Sequence, residues 1–340
     1  MKYNLVYKLL FVETNLRNFI YYLPYALALD DIVKGKSKYG VGFYVESDIQ
    51  KPSDLDQRFD YFWGHEGIKR IYYEHHLLPG IKAKMLLDMS EDKYSIHVNK
   101  WYYRLARYRF ENVWPPGQHF TNLITLKLLR NNILTLHCAS FSDRKTKEGF
   151  LIFGASNTGK SLTTFKALDA GYQYHSEDLT IVDKNHIYTS PLISAQSEML
   201  PRKSLFLKYN LLVHKLVGLN MILPKVRALS DFREFFSRHN VNSKAKLKKI
   251  FILEKGKESI RKLSKDEAFR KILILNRLEL PYYKDHLFQS YSYFNKDLNI
   301  EEVAESEKNL IRQIVDKSEC YLVTSKSPAS YLTTIRKIIE

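Results

Sequence analysis

Eight consecutive residues, Gly154-Ala155-Ser156-Asn157-Thr158-Gly159-Lys160-Ser161, fit the pattern G-x-x-x-x-G-K-[ST] at every fixed position. The chemistry of that spacing is phosphate binding. Gly154 and Gly159 allow backbone angles that a side chain would forbid, so successive N–H groups can converge on phosphate oxygens. Lys160 adds a full positive charge, and the Ser161 hydroxyl is a ligand for Mg²⁺. The residues expected at a nucleotide are therefore Gly154, Ser156, Asn157, Thr158, Gly159, Lys160, Ser161 and Leu162. A second cluster follows closely, at Ser176-Glu177-Asp178, ahead of the apolar run Leu179-Thr180-Ile181-Val182. Two adjacent carboxylates on an extended chain point to opposite faces, so they cannot share one task.

The elements around the motif suit it. Phe150 to Phe153 is a short buried strand before the loop, and Leu162 to Ala170 a helix after it, closed by Gly171. The positive end of that helix faces the same phosphates. Other readings stay open for neighbouring residues. Glu177 and Asp178 can be plain turn and strand-start acids, and Asp183 can be a magnesium ligand at a strand end. His137, alone among Leu and Ala, can be a satisfied core histidine. Arg202 is a candidate for steadying transferred phosphate through its guanidinium fork, and His175 reads as incidental.

Three stretches give the chain a resemblance to the HPr serine kinase/phosphorylase family, whose fold is shared with phosphoenolpyruvate carboxykinase. Leu134-Thr135-Leu136-His137-Cys138-Ala139-Ser140 is similar to the family's His-containing strand, GASNTGKS to its phosphate loop, and HSEDLTIVD to its paired-carboxylate motif. A looser similarity runs through Lys249 to Gly256 and Leu263-Ser264-Lys265-Asp266-Glu267-Ala268. The resemblance implies a mixed-sheet α/β kinase domain that uses ATP, or another nucleoside triphosphate, with Mg²⁺. It implies Lys160 at the phosphates, Glu177 as base for an acceptor hydroxyl, Asp178 and Ser161 at the metal, and His137 nearby. Glu177 departs from the family's usual aspartate, and residues 1–110 carry no part of the resemblance. The family's second signature is missing, so phosphorylase activity is not expected.

With 340 residues and 45% apolar content, the chain can bury one large core or two ordinary ones. Two domains are expected, a β-rich (α+β) one over 1–116 and the kinase-like one over 117–340, with Pro115-Pro116-Gly117 as the punctuation between them. Within the first, Tyr39 to Val45, Lys69 to Tyr73, Lys82 to Leu87 and Tyr94 to Val98 predict a small antiparallel sheet, with a turn at Ser90 to Lys93. Trp101-Tyr102-Tyr103 with Arg104, Arg107 and Arg109 reads as its last strand, although aromatics interleaved with cations also suit base stacking. Helices are predicted over Asn18 to Leu29, Phe120 to Leu129, parts of 204–240 and Pro328 to Ile339. Lys184-Asn185 predicts a tight return into Ile187 to Thr189, which favours a mixed sheet over a regular doubly wound one.

Two cysteines, Cys138 and Cys320, make no disulfide framework, and neither a leader at Met1 to Phe11 nor a bilayer-length apolar run is visible, so a soluble cytoplasmic protein is expected. The formal charge is +16, and residues 202–271 hold 19 basic against 6 acidic side chains. Such a surface attracts acidic partners, but the chain lacks zinc-finger spacing and RNA-binding aromatic signatures, which argues against nucleic acid. The expected activity is phosphorylation of a serine hydroxyl on a protein or peptide, a natural-product precursor peptide included. A small-molecule alcohol as acceptor, a nucleotide-dependent binding protein without transfer, and a homo-oligomer all remain open.

Overall fold

The computed structural model describes residues 1–16, 33–90, 94–105, 113–190, 238–239, 241 and 243–340. It is an α/β structure built on two mixed sheets. The expected helix over Asn18 to Leu29, the helical parts of 204–237, Arg107, Arg109 and Arg202 lie outside the described residues.

The first sheet has eight strands: β1 (Lys2–Val6), β2 (Leu10–Thr14), β3 (Tyr39–Glu46), β4 (Gln57–Phe59), β5 (Phe62–Gly64), β6 (Arg70–Leu78), β7 (Ile81–Asp88) and β8 (Tyr94–Asn99). They lie in the order β1-β2-β3-β8-β7-β6-β5-β4. The sheet is larger than expected and is not purely antiparallel, because β3 pairs in parallel with both β2 and β8. A parallel neighbour needs a long crossover. Between β3 and β8 the β4 to β7 meander supplies it. Residues 100–105 correct a second expectation: Lys100–Leu105 is a helix, α1, and not a strand. Asn99 explains the switch, since its Oδ1 accepts from the Tyr102 and Lys84 backbone N–H groups, capping the helix while tying it to β7.

The second sheet contains β9 (Leu134–His137), β10 (Ala139–Ser142), β11 (Glu148–Phe153), β12 (Gln173–Ser176), β13 (Leu179–Val182), β14 (His186–Tyr188), β15 (Lys244–Lys255), β16 (Ser259–Lys262) and β17 (Glu319–Ser325). At its centre β11, β15 and β17 run parallel, while the flanking pairs are antiparallel. The return from β13 to β14 is the tight one expected at Lys184-Asn185. Asp183 is used there, accepting from the Asn185 and His186 N–H groups and the Tyr188 hydroxyl, so it stabilises a turn.

Alternation along the central strands sets the layers. Leu151, Phe153, Ile250 and Ile252 face one core; Phe150, Ile152, Phe251 and Leu253 face the other. The second core lies under α3 (Lys160–Asp169) and α7 (Tyr331–Ile339). The first lies under α2 (Pro116–Leu129), α4 (Lys265–Glu279), α5 (His286–Phe294) and α6 (Ile300–Lys317), and it is continuous with the core of the eight-stranded sheet. Every residue of α2 except Gln118 is buried, the polar His119, Thr121, Asn122, Thr125 and Lys127 included. Its polar groups are satisfied internally: His119 and Asn122 bond the buried Asp285 carboxylate, which also caps α5. On α5, Phe294 packs over Gly64, where an added Cβ would lie 2.4 Å from the ring.

His175 on β12, read from sequence as incidental, is part of the frame. Fully buried, it bonds Thr189 Oγ1 at 2.7 Å and Ser142 Oγ at 2.9 Å, and burial pushes its pKa down to about 3. An unfolded chain takes up this proton below about pH 6.5 while the folded chain refuses it, so His175 makes stability fall as pH drops from about 6.5 toward 3. In acid denaturation of wild type against His175→Gln, the wild type should lose up to about 1.4 kcal/mol more per pH unit through that window. Equal slopes would contradict this burial.

Candidate functional site

The loop Gly154 to Gly159 joins the end of β11 to the start of α3, the strand-loop-helix order that the sequence predicts. Gly159 has φ +116° and Asn157 φ +62°, the left-handed angles a tight loop needs. A Cβ at Gly159 would come within 2.7 Å of Pro328 Cβ, so the glycine also permits close approach of the segment before α7. Thr158 closes the loop internally through its hydroxyl to the Ala155 carbonyl at 2.6 Å. Ala155, Ser156 and Asn157 are exposed at the tip, and Ser161 and Leu162 are half-buried at the first turn of α3. Lys160 is 7% exposed, and its Nζ donates to Gly154 O at 2.7 Å, folding back across the loop that it would share with phosphates.

Glu177, Asp178 and His137 sit at a break in the second sheet. Ser140 pairs with Ser176 and His137 with Leu179 in the same register, and a bulge follows between Ser140 and Phe141, where β10 slips by one residue against β12. Between them the strands part, and both chains bend, at Cys138 and at Glu177-Asp178. Backbone groups released by the gap are taken up by flanking hydroxyls: Thr180 Oγ1 donates to Cys138 O at 2.8 Å and Ser176 Oγ to Leu179 O at 2.6 Å. Glu177 is buried at 3% exposure, whereas the Asp178 side chain is 36% exposed. Asp178 Oδ1 lies 3.0 Å from His137 Nε2. His137 is thus paired to a carboxylate and is not a solitary core histidine.

Charge ties this corner to the loop. Burial lowers the Lys160 pKa, opposed first by Asp178 and then by Glu279, Cys138 and Glu177. Burial would raise Asp178, but the hydrogen bond and charge of His137 and the charge of Lys160 outweigh it and hold the carboxyl below its usual range. Desolvation pushes the Cys138 thiol up to about 12, so it is no nucleophile at neutral pH. The structure therefore brings Lys160, Asp178 and His137 into one electrostatic neighbourhood.

No protein-family model matches the chain, and no curated protein is similar to it. The site rests on its own geometry. An ionised, partly exposed carboxylate and a half-buried hydroxyl, Asp178 and Ser161, are hard oxygen donors of the kind magnesium takes. Among the described residues no cluster of three or more His, Cys, Asp or Glu could hold a metal alone.

Two residues escaped the sequence reading, both on α4. Glu279 Oε1 accepts from Ser156 Oγ at 2.5 Å, so a third carboxylate reaches the loop. Asn276, 1% exposed, accepts from the His137 backbone N–H at 2.9 Å and donates to Glu307 Oε1 at 2.7 Å. Its amide satisfies the open edge of β9. Its signal was a polar residue at the next turn of the buried stripe Ala268, Ile272. Asn276→Leu should leave the strand N–H and the Glu307 carboxylate short of a partner, costing roughly 1–3 kcal/mol in urea unfolding. An unchanged midpoint would show that Asn276 does not hold this edge.

Proposed function

We propose that the chain is a nucleoside-triphosphate- and magnesium-dependent kinase of the HPr-kinase-like type that phosphorylates a serine hydroxyl of a protein or peptide. The observation that carries this reading is the pairing of Asp178 with His137 beside the buried Lys160, at the foot of a loop whose backbone is bent to receive phosphate. Phosphoryl transfer asks little covalent chemistry of a protein; it needs positioning and charge stabilisation.

In this reading, Lys160 leaves its carbonyl partner Gly154 O for the β and γ phosphates. Ser161 and Asp178 would hold a magnesium ion, which would supply charge neutralisation at those phosphates. The acceptor oxygen forms a bond to the γ phosphorus as the bond to the β-phosphate oxygen breaks, releasing nucleoside diphosphate. The hydroxyl proton passes to the Glu177 carboxylate, the role that the resemblance assigns. The exposure of Asp178 against the burial of Glu177 favours a second reading, in which Asp178 receives the proton and His137 orients it. His137 keeps one Asp178 oxygen engaged in either case.

Labelled ATP offered with serine-containing peptides and with small alcohols tests the reaction and its acceptor class. Lys160→Ala should lose both nucleotide binding and turnover. Glu177→Gln should bind nucleotide normally and lose roughly 100-fold or more in turnover, the usual loss of a general base. Normal turnover in Glu177→Gln with loss in Asp178→Asn would move the proton to Asp178. Binding without transfer to any hydroxyl would leave a nucleotide-dependent binding protein.

A further inference from the structure

The loop from Gly154 to Ser161 carries three hydroxyl side chains, and their surroundings differ. Thr158 is 5% exposed, and its hydroxyl is spent inside the loop on the Ala155 carbonyl at 2.6 Å. Ser161 is half-buried at the first turn of α3. Ser156 stands exposed at the tip, and its Oγ donates to a carboxylate, Glu279 Oε1, at 2.5 Å. A hydroxyl held in this way has its proton already aimed at a base. Glu279 is the last residue of α4 and is exposed, and among the described residues it makes no ion pair with a Lys or Arg. Three residues before it, the buried Asn276 bonds the His137 N–H and Glu307, so the end of the helix that carries the carboxylate is fixed.

We propose that Ser156 is itself a phosphoryl acceptor: with no outside hydroxyl in the site, the nucleoside triphosphate on the loop transfers its terminal phosphoryl group to Ser156 of the same chain, and Glu279 takes the proton. The inference rests on the reading of the loop as a phosphate cradle. Position argues for it, because a loop that wraps phosphates with its own backbone N–H groups keeps the Ser156 hydroxyl within about one side chain's length of them. The Ser156 Oγ forms a bond to the γ phosphorus as the bond from that phosphorus to the bridging oxygen of the β-phosphate breaks. The hydroxyl proton passes to Glu279, and nucleoside diphosphate leaves. This is the chemistry of transfer to an outside serine, so no further reactant is needed. The product limits itself. A phosphoserine carries about −1.5 to −2 charges at neutral pH, and here it stands in the cradle against Glu279, where the next triphosphate needs room and positive charge. Modification of Ser156 therefore switches the site off.

Incubation of the purified chain with γ-labelled ATP and Mg²⁺, without an added acceptor, tests this. Trypsin releases Glu148 to Lys160, whose only hydroxyl side chains are Ser156 and Thr158, so fragmentation mass spectrometry assigns the site. Expected are phosphate on Ser156, formed at a per-molecule rate independent of protein concentration, and a loss of about 100-fold or more in that rate with Glu279→Gln. Glu279 is exposed, so the glutamine should keep the fold, and calorimetry should show that the variant still binds ATP. The modified chain, separated from the unmodified one, should bind inorganic tripolyphosphate about tenfold or more weakly, a readout that needs no turnover. ATP bound by wild type with no phosphate on Ser156, or with phosphate confined to Thr158, would overturn the inference and leave the cradle standing. A wild-type rate in Glu279→Gln would overturn the role of Glu279. A per-molecule rate that rises with protein concentration would place the transfer between two copies and overturn the same-chain geometry. Failure of wild type to bind ATP or tripolyphosphate would remove the cradle reading and this inference with it.

Discussion

The arrangement depends on a ladder that keeps its register across a gap. His137–Leu179 and Ser140–Ser176 pair in phase on either side of the break, with a bulge shifting β10 against β12 by one residue beyond Ser140, yet at Cys138 and at Glu177-Asp178 no ladder bonds form. A gap inside a buried sheet would strand polar backbone groups, each costing about 1–3 kcal/mol. Thr180 and Ser176, on either side of the acids, remove that cost with their hydroxyls. The two acids are thereby freed from sheet pairing and held at one place, with Asp178 directed by His137 and coupled to Lys160.

Helix α4 links the parts. Its cap at Ser264 fixes where it starts, Asn276 holds the His137 strand, and Glu279 reaches Ser156 of the loop. Behind Asn276, the buried Glu307 carboxylate is held by Asn276, Tyr282 and Arg277, so the polar network is anchored on α6. Buried charge of this kind stabilises little by itself, but removing one partner leaves an uncompensated ion. The shared core around α2 gives these helices a rigid support against the eight-stranded sheet.

Legibility in the sequence followed the range of the constraint. The strand, tight loop and helix around Gly154 to Ser161 could be read because their geometry is imposed by consecutive residues, as could the turn at Lys184-Asn185, whereas the helix expected over Phe120 to Leu129 starts a turn earlier, at Pro116, within the stretch that reads as a break between domains. The first sheet was read as antiparallel because parallel pairing of β3 depends on strands far apart in sequence. Residues 100–105 looked like a strand because alternating aromatics and cations hid the cap at Asn99. The contacts of Asn276 and Glu279 span more than 100 residues, and no local pattern announces them. Among the described residues no helix is long and apolar enough to cross a membrane.

Crystals grown with Mn²⁺ and a non-hydrolysable nucleoside triphosphate would test the convergence of loop and acids most directly, through the anomalous signal of the metal. The account predicts one peak within bonding distance of the Asp178 carboxylate and the Ser161 hydroxyl, with the triphosphate on the Gly154 to Ser161 backbone. A nucleotide bound elsewhere, or a metal on the loop with Asp178 turned away from it, would contradict the account.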